Sequence, residues 1–337
     1  MEIYLSATAI LLLILLSFAN GANDVSKSIA TLTGAGVTSM SKAIHWGVVW
    51  TVLGALSGVF WGGAIVKNLS HSFYAAHTEM DVNIAMAIAI APIIWVFLST
   101  YAKLPVSTTH SLVGAFIGTG LFAYGVDGIM WQKVGVKIVL PLLVSPFAAI
   151  IMALIGCKII TFLVTKLSAI DLNIGKFKFN ITEDGLHWFT SGLLSFARGL
   201  NDTPKLIAVI LPIILLRPED LGAQYYVIGA VSMGAGAWLI GRRITKVLAE
   251  KVTKMDHHQG FAANLISSFL VIGASRFGLP VSTTHVSTSA IIGVGIAGKN
   301  KMDYKVIGGM LTAWVVTVPG AGLIAGACYY FICFWVQ

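Results

Sequence analysis

Charge is scarce in this sequence. Of 337 residues, 22 are Lys or Arg and 14 are Asp or Glu, 11% in all, where a soluble domain carries about 25%. With 57% apolar residues and a mean hydropathy of +0.86, the chain is a polytopic membrane protein rather than a soluble domain. Strands of alternating polarity are missing as well, which excludes a β-barrel and leaves helices as the spanning elements. Cysteine is rare. Cys157, Cys328 and Cys333 lie in apolar runs and form no CxxC, so they read as packing residues rather than redox or metal groups. No GxSxG and no HExxH occurs, and no nucleophile arrangement stands out, which argues against an enzyme. The first run, "YLSATAILLLILLSFANG", has no basic residues ahead of it and reads as a retained helix, not a cleaved signal.

What is there is hydrophobic, glycine-rich and repeated. The apolar runs recur, and many exceed the ~18 residues a spanning helix needs. Glycine is abundant, with GxxxG spacings at Gly54/Gly58/Gly62, Gly114/Gly118 and Gly322/Gly326, a pattern that lets helices approach closely in lipid. The net charge of +8 does not call for a nucleic acid, because the basic residues sit in short segments between runs, as on a cytoplasmic face. Trp46, Trp61, Trp131, Trp188, Trp314 and Trp335 lie near run ends and read as interfacial anchors.

Two motifs each occur twice. "SFANGANDVSKSIA" (Ser17–Ala30) returns as "SFARGLNDTPKLIA" (Ser195–Ala208), nine of fourteen residues identical at an offset of 178. "LPVSTTH" at Leu104–His110 returns unchanged at Leu279–His285, an offset of 175. The same order at nearly the same offset means duplicated halves. The boundaries fall at residues 1–165, a polar linker over 166–185, and 186–337.

Charge placement orients the halves. The segment about Lys67–Asp81 holds one Lys, two acids and two His, whereas its counterpart, about Arg242–Asp256, holds Arg242, Arg243, Lys246, Lys251 and Lys254. "AYGVDG" (Ala123–Gly128) has no basic residue and its counterpart "GKNKMDYK" (Gly298–Lys305) has three. By the basic-loop bias, corresponding loops lie on opposite faces, so the repeats are inverted. Both termini then fall outside and the linker inside, although Lys133 and Lys137 run against this scheme. Each "LPVSTTH" separates two apolar arms whose outer ends fall on one face. Two full spans would do the same, but polar Ser and Thr at the turn favour a re-entrant helical hairpin in each half. The expected fold is therefore all-α, with two inverted-topology repeats, broken helices and two re-entrant hairpins.

An Asp inside a span costs about 2.5–3.5 kcal/mol and usually faces a cavity or a partner. Asn23/Asp24 and Asn201/Asp202 follow Gly21 and Gly199, and Pro204 suits the start of a helix. A helix break is expected at each pair, where unwound carbonyls with Asn and Asp oxygens would hold a hard cation such as Na+. The competing reading is an ion pair, Asp24 with Lys27 and Asp202 with Lys205, both three residues apart. In the hairpins, Pro would open the helix, and Ser107, Thr108, Thr109, Ser282, Thr283 and Thr284 would add hydroxyls to its free N–H groups, making an anion site. Back-bonding of Ser and Thr to their own helix is the alternative. His110, His285 and Arg198 lie close by in sequence, with Asn20 standing where Arg198 stands in the other half. Two carboxylate-bearing breaks beside two anion-binding helix starts would permit co-transport.

"GANDVSKSIA", "GLNDTPKLIA" and the two "PVSTTH" segments closely resemble the signatures of the PiT inorganic phosphate transporter family, sodium/phosphate symporter branch, and the resemblance covers essentially the whole chain. It implies a secondary transporter of inorganic phosphate in the plasma (cytoplasmic) membrane, driven by Na+ or H+, without a cofactor, and assembled as a homodimer. By resemblance Asn23, Asp24, Asn201 and Asp202 fall at the family's Asn-Asp positions, and Ser107–Thr109 and Ser282–Thr284 at its hairpin positions. Many members read GANDVAN, where this chain has Ser26 and Lys27, a departure that bears on the coupling ion. Relatives that carry sulfate share similar motifs. The readings are thus Na+-coupled phosphate symport, H+-coupled phosphate or sulfate uptake, and a passive anion channel.

Overall fold

The computed structural model describes residues 2–70, 73–74, 80–168, 171–174, 177–180 and 182–336. The apolar runs are helical because in lipid each backbone N–H and C=O must find its partner within its own segment. The first half comprises α1 (Glu2–Asp24), α2 (Ser26–Gly34), α3 (Met40–Trp61), α4 (Gly63–Ser70), α5 (Val82–Tyr101), α6 (Thr108–Tyr124), α7 (Trp131–Val134) and α8 (Leu140–Ser168). A π-helical turn, Gly135–Val139, joins α7 to α8. The second half comprises α9 (Glu183–Ile210), α10 (Ala223–Ile240), α11 (Arg242–Glu250), α12 (His257–Arg276), α13 (Thr283–Ala297) and α14 (Tyr304–Val336). Among the described residues, five helical stretches are long and apolar enough to cross a membrane: Ile3–Gly34, Met40–Trp61, Val82–Tyr101, Trp131–Ile160 and Tyr304–Trp335. Phe147, Ile151, Ile155 and Ile159 form an exposed stripe along α8, as expected of a lipid-facing surface.

Helix packing follows the internal repeat. α1 packs on α10 as α9 packs on α3, α6 packs on α14 as α13 packs on α8, and α4 packs on α9 as α11 packs on α2. Each contact thus has a counterpart with the halves exchanged. α3 and α9 run in the same direction: Gly192 lies against Trp46 and Trp50, Gly54 against Phe196, and Gly58 and Gly62 against Pro204. Gly47 of α3 takes the side chains of Val25, just before α2, and of Ile29 within it. The GxxxG glycines sit at these crossings. A Cβ on Gly54 would meet the Phe196 carbonyl, and one on Gly118 would meet the Gly322 backbone. Gly54→Leu is therefore expected to cost about 3 kcal/mol or more, because backbone cannot give way as a side chain can. A thermal unfolding series in detergent should show it, with Gly63→Ala, which faces open space, unchanged.

Several sequence expectations are corrected. Neither Asn-Asp pair is unwound: α1 and α2 are separated only by Val25, whose backbone stays helical, and α9 runs without interruption through Asn201, Asp202 and Pro204. Pro lacks only one N–H, and its φ is already helical, so a helix packed on several neighbours tolerates it. Pro105 and Pro280 do not open their helices. They precede Ser107 and Ser282, which have extended backbone and cap α6 and α13 by accepting from the His110 and His285 amides. The basic segment after α10, expected as loop, is partly α11, whose Ile244, Thr245, Leu248 and Ala249 are buried while Arg242, Arg243 and Lys246 are exposed. Its counterpart α4 takes up the start of the Lys67–Asp81 segment. Residues 71–72 and 75–79, with the His and Glu of that reading, lie outside the described residues. In the linker, Asp171–Ile174 and Phe177–Asn180 form a two-stranded antiparallel hairpin, and Lys176 lies outside the described residues. Trp61, Trp131 and Trp335 are exposed as anchors should be, but Trp314 is buried.

Candidate anion and cation site

α5 and α6, and likewise α12 and α13, are each joined by a short extended segment, and the two tips meet deep in the protein. Thr109 Oγ1 donates to the Val281 carbonyl (3.4 Å) and Thr284 Oγ1 to the Val106 carbonyl (2.9 Å). Each tip is thus held by a threonine of the other half. Behind the tips the His110 and His285 rings pack with centroids 4.0 Å apart, and His285 packs against Trp314 at 3.9 Å, both pairs tilted. His110 Nδ1 lies 2.9 Å from Ser107 Oγ. These contacts give both histidines a packing role.

The Asn-Asp pairs face the tips. Asn23 Nδ2 donates to Thr100 Oγ1 (2.9 Å) and to the Leu104 carbonyl (3.1 Å), and its Oδ1 accepts from the Val106 amide (3.2 Å). Asn201 Nδ2 donates to Ser275 Oγ (2.7 Å), the residue that matches Thr100 at the hairpin offset. Each Asn therefore braces the end of its own half's first hairpin arm. Asp24 pairs with Lys27, and Asp202 pairs with Lys205 at 2.9 Å. The three-residue spacing that suggested ion pairs is thus used, and the Asn context that this reading left unexplained is used by the hairpins.

Arg198 and Asn20 connect the halves at the centre. Asn20 Nδ2 reaches Asp24 Oδ2 (3.0 Å), Thr108 Oγ1 (3.1 Å) and Asp202 Oδ2 (3.5 Å). Arg198 donates to Asn20 Oδ1 (3.3 Å) and to Thr51 Oγ1 (2.7 Å). Thr283 Oγ1 donates to Asp202 Oδ2 (3.4 Å). The sequence singled out Asn20 only as the residue opposite Arg198 and passed over Thr51. The signal for Asn20 was its place one helical turn before Asp24.

Asp24, Lys27, Arg198, Asp202 and Lys205 are each no more than 2% exposed. Three cations against two carboxylates leave one positive charge in excess, sealed in a low-dielectric interior. Such an excess is costly unless an anion offsets it. The structure brings together every sequence-predicted site residue except that the caps Ser107 and Ser282 and the two histidines face the helix starts rather than the carboxylates. The unwound carbonyls expected at the Asn-Asp pairs come instead from the hairpin tips, Leu104, Val106 and Val281.

A helical membrane bundle with a buried, positively charged polar centre built from both halves defines an integral membrane transporter. The profile of the phosphate transporter family matches residues 20–325, and the chain belongs to that family. It is 28% identical over 324 residues to a protein of Rhizobium meliloti (strain 1021) named a probable low-affinity inorganic phosphate transporter, covering 93% of this chain and 92% of that one. It is also 28% identical, over 98% of both chains, to a protein of the same name from Bacillus subtilis (strain 168). A solved structure described as the sodium-dependent phosphate transporter superposes with a TM-score of 0.85 at 22% identity, covering 98% of this chain and 100% of that one.

Proposed function

We propose that this chain is a secondary active transporter of inorganic phosphate, with one anion site at the junction of its halves. The observation that carries this reading is the buried excess of positive charge at Arg198, Lys27 and Lys205, ringed by the hydroxyls of Thr108, Thr109, Thr283 and Thr284. Phosphate would bind there, with Ser107 and Ser282 fixing the helix starts. The two halves, residues 1–165 and 186–337, act as inverted repeats. The like direction of α3 and α9 supports that inversion. The hairpins enter and leave on one face, and alternating access moves the elements around their tips. Both termini lie outside, the chain sits in the plasma membrane, and it works as a homodimer as the resemblance implies.

Na+ is the coupling ion in the first reading, bound near Asn23, Asp24, Asn201 and Asp202 and offsetting the charge of the anion. The name of the solved structure supports it by analogy. Proton coupling, through Asp24 or Asp202, is the second reading, and one observation favours it: the oxygens a Na+ would use already hold the Lys27 and Lys205 ammonium groups.

Radiolabelled phosphate uptake into proteoliposomes under inward Na+, K+ and proton gradients, with sulfate as competitor, tests the proposal. Accumulation above the external concentration supports a secondary transporter. Flux that only equilibrates the label supports a channel, and strong sulfate competition reassigns the anion. Within the same assay Thr108→Val/Thr283→Val is expected to raise the half-saturating phosphate concentration by about 10-fold, the loss of one to two hydrogen bonds to a charged group. An unchanged value would remove those hydroxyls from the site.

A further inference from the structure

The two lysine ammonium groups have surroundings that match each other and match what a bound Na+ would require. Lys27 Nζ contacts Asp24 Oδ1, Asn23 Oδ1 (3.0 Å) and the Val106 carbonyl (3.3 Å). Lys205 Nζ contacts Asp202 Oδ1 (2.9 Å), Thr109 Oγ1 (2.8 Å) and the Val281 carbonyl (2.7 Å). Each set has one carboxylate, one side-chain amide or hydroxyl oxygen, and one carbonyl from a hairpin tip. Val106 and Val281 occupy the same position of the two "LPVSTTH" motifs. An ammonium carries three donors and no acceptor, and here all three directions end on oxygen. Hard cations take the same kinds of ligand: carboxylates, amide oxygens and unwound backbone carbonyls.

We propose that Lys27 and Lys205 are built-in cations that occupy the two coupling-ion positions, so that of the two readings above this transporter follows the second and moves its anion without Na+. A Na+ placed at either position would have to displace Nζ from its carboxylate. Both lysines are 1% exposed, so a displaced ammonium would find no water. Three contacts to oxygen would be lost at each lysine. The bound anion is then balanced by residues of the chain, and the hairpin tips are fastened to the Asn-Asp helices by lysine instead of by an ion that must bind on every cycle. The inference rests on the reading of this centre as a transport site, but not on which anion is carried.

The test compares the purified chain in lipid nanodiscs, and the same chain in proteoliposomes, in sodium chloride and in choline chloride of equal ionic strength. The thermal unfolding midpoint and initial phosphate uptake are recorded for the natural sequence and for Lys27→Asn/Lys205→Asn, which replaces each ammonium by an amide. The natural chain is expected to show the same midpoint in both salts and uptake rates within about twofold. The double variant is expected to gain a saturable, Na+-specific rise in midpoint of about 3–6 °C, with any uptake it retains requiring Na+. A saturable Na+ stabilisation of the natural chain, or a more than tenfold loss of its uptake in choline, would overturn the proposal. Absence of phosphate uptake by the natural chain in either salt would sink the transport reading, while the midpoints still decide whether Na+ binds. If the double variant does not fold, the two measurements on the natural chain decide alone.

Discussion

Arg198→Met is expected to lower phosphate affinity by about 100-fold. The substitution removes the one cation that has no carboxylate partner of its own, since Lys27 is matched by Asp24 and Lys205 by Asp202. The centre then holds equal numbers of positive and negative groups and offers an anion no net attraction. Two unit charges about 6 Å apart at an effective dielectric of about 20 interact by about 3 kcal/mol, which corresponds to roughly that loss. Methionine keeps much of the volume, so packing against Thr51 and Asn20 is disturbed less than by alanine. Arg198→Lys keeps the charge and is expected to recover most of the affinity. Phosphate titration of the three proteins checks this, and equal affinity in all three would mean that Arg198 serves only to bridge the halves.

Asp202→Ala is expected to destabilise the chain by about 3–5 kcal/mol, because it leaves the Lys205 ammonium buried without a counter-charge. Lys205 Nζ would retain Thr109 Oγ1 and the Val281 carbonyl, neither of which is charged. Removing both partners has a different outcome. Asp202→Leu/Lys205→Met replaces the ion pair by apolar side chains of similar volume and is expected to fold about as well as the natural chain, since desolvation of both ions is avoided. That double variant should nevertheless lose phosphate uptake, because the second hairpin tip is no longer tied to α9 by charge. Thermal unfolding separates the single from the double variant, and uptake separates the double variant from the natural chain. A double variant that transports normally would make the pair a structural device alone.

Much of this centre was legible in the sequence because duplication wrote it twice. The repeated Asn-Asp pairs, the repeated "LPVSTTH" and the asymmetric Arg198 pointed to the residues that meet. Run length pointed to the helices, and GxxxG to their crossings. What the sequence withheld were contacts between distant residues. That Lys27 would reach the Val106 carbonyl depends on how the first hairpin folds back onto α2, and no local pattern encodes it. Asn20 touches groups of both halves for the same reason, although alone it looks like one more polar residue in an apolar run. The break expected in α9 failed because Gly, Asn and Pro lower helix propensity only locally, while neighbouring helices decide whether the turn opens. α4 and α11 were missed as helices because eight or nine residues are too few to stand above a loop of mixed charge.

Equilibrium binding of radiolabelled phosphate to the purified chain tests the central claim most directly, that the two halves build one shared anion site. One phosphate per chain is predicted, with affinity lost on changing either Arg198 in the second half or Thr108 in the first. Two phosphates per chain, one for each half, would contradict the account, as would a single site that answers to one half alone.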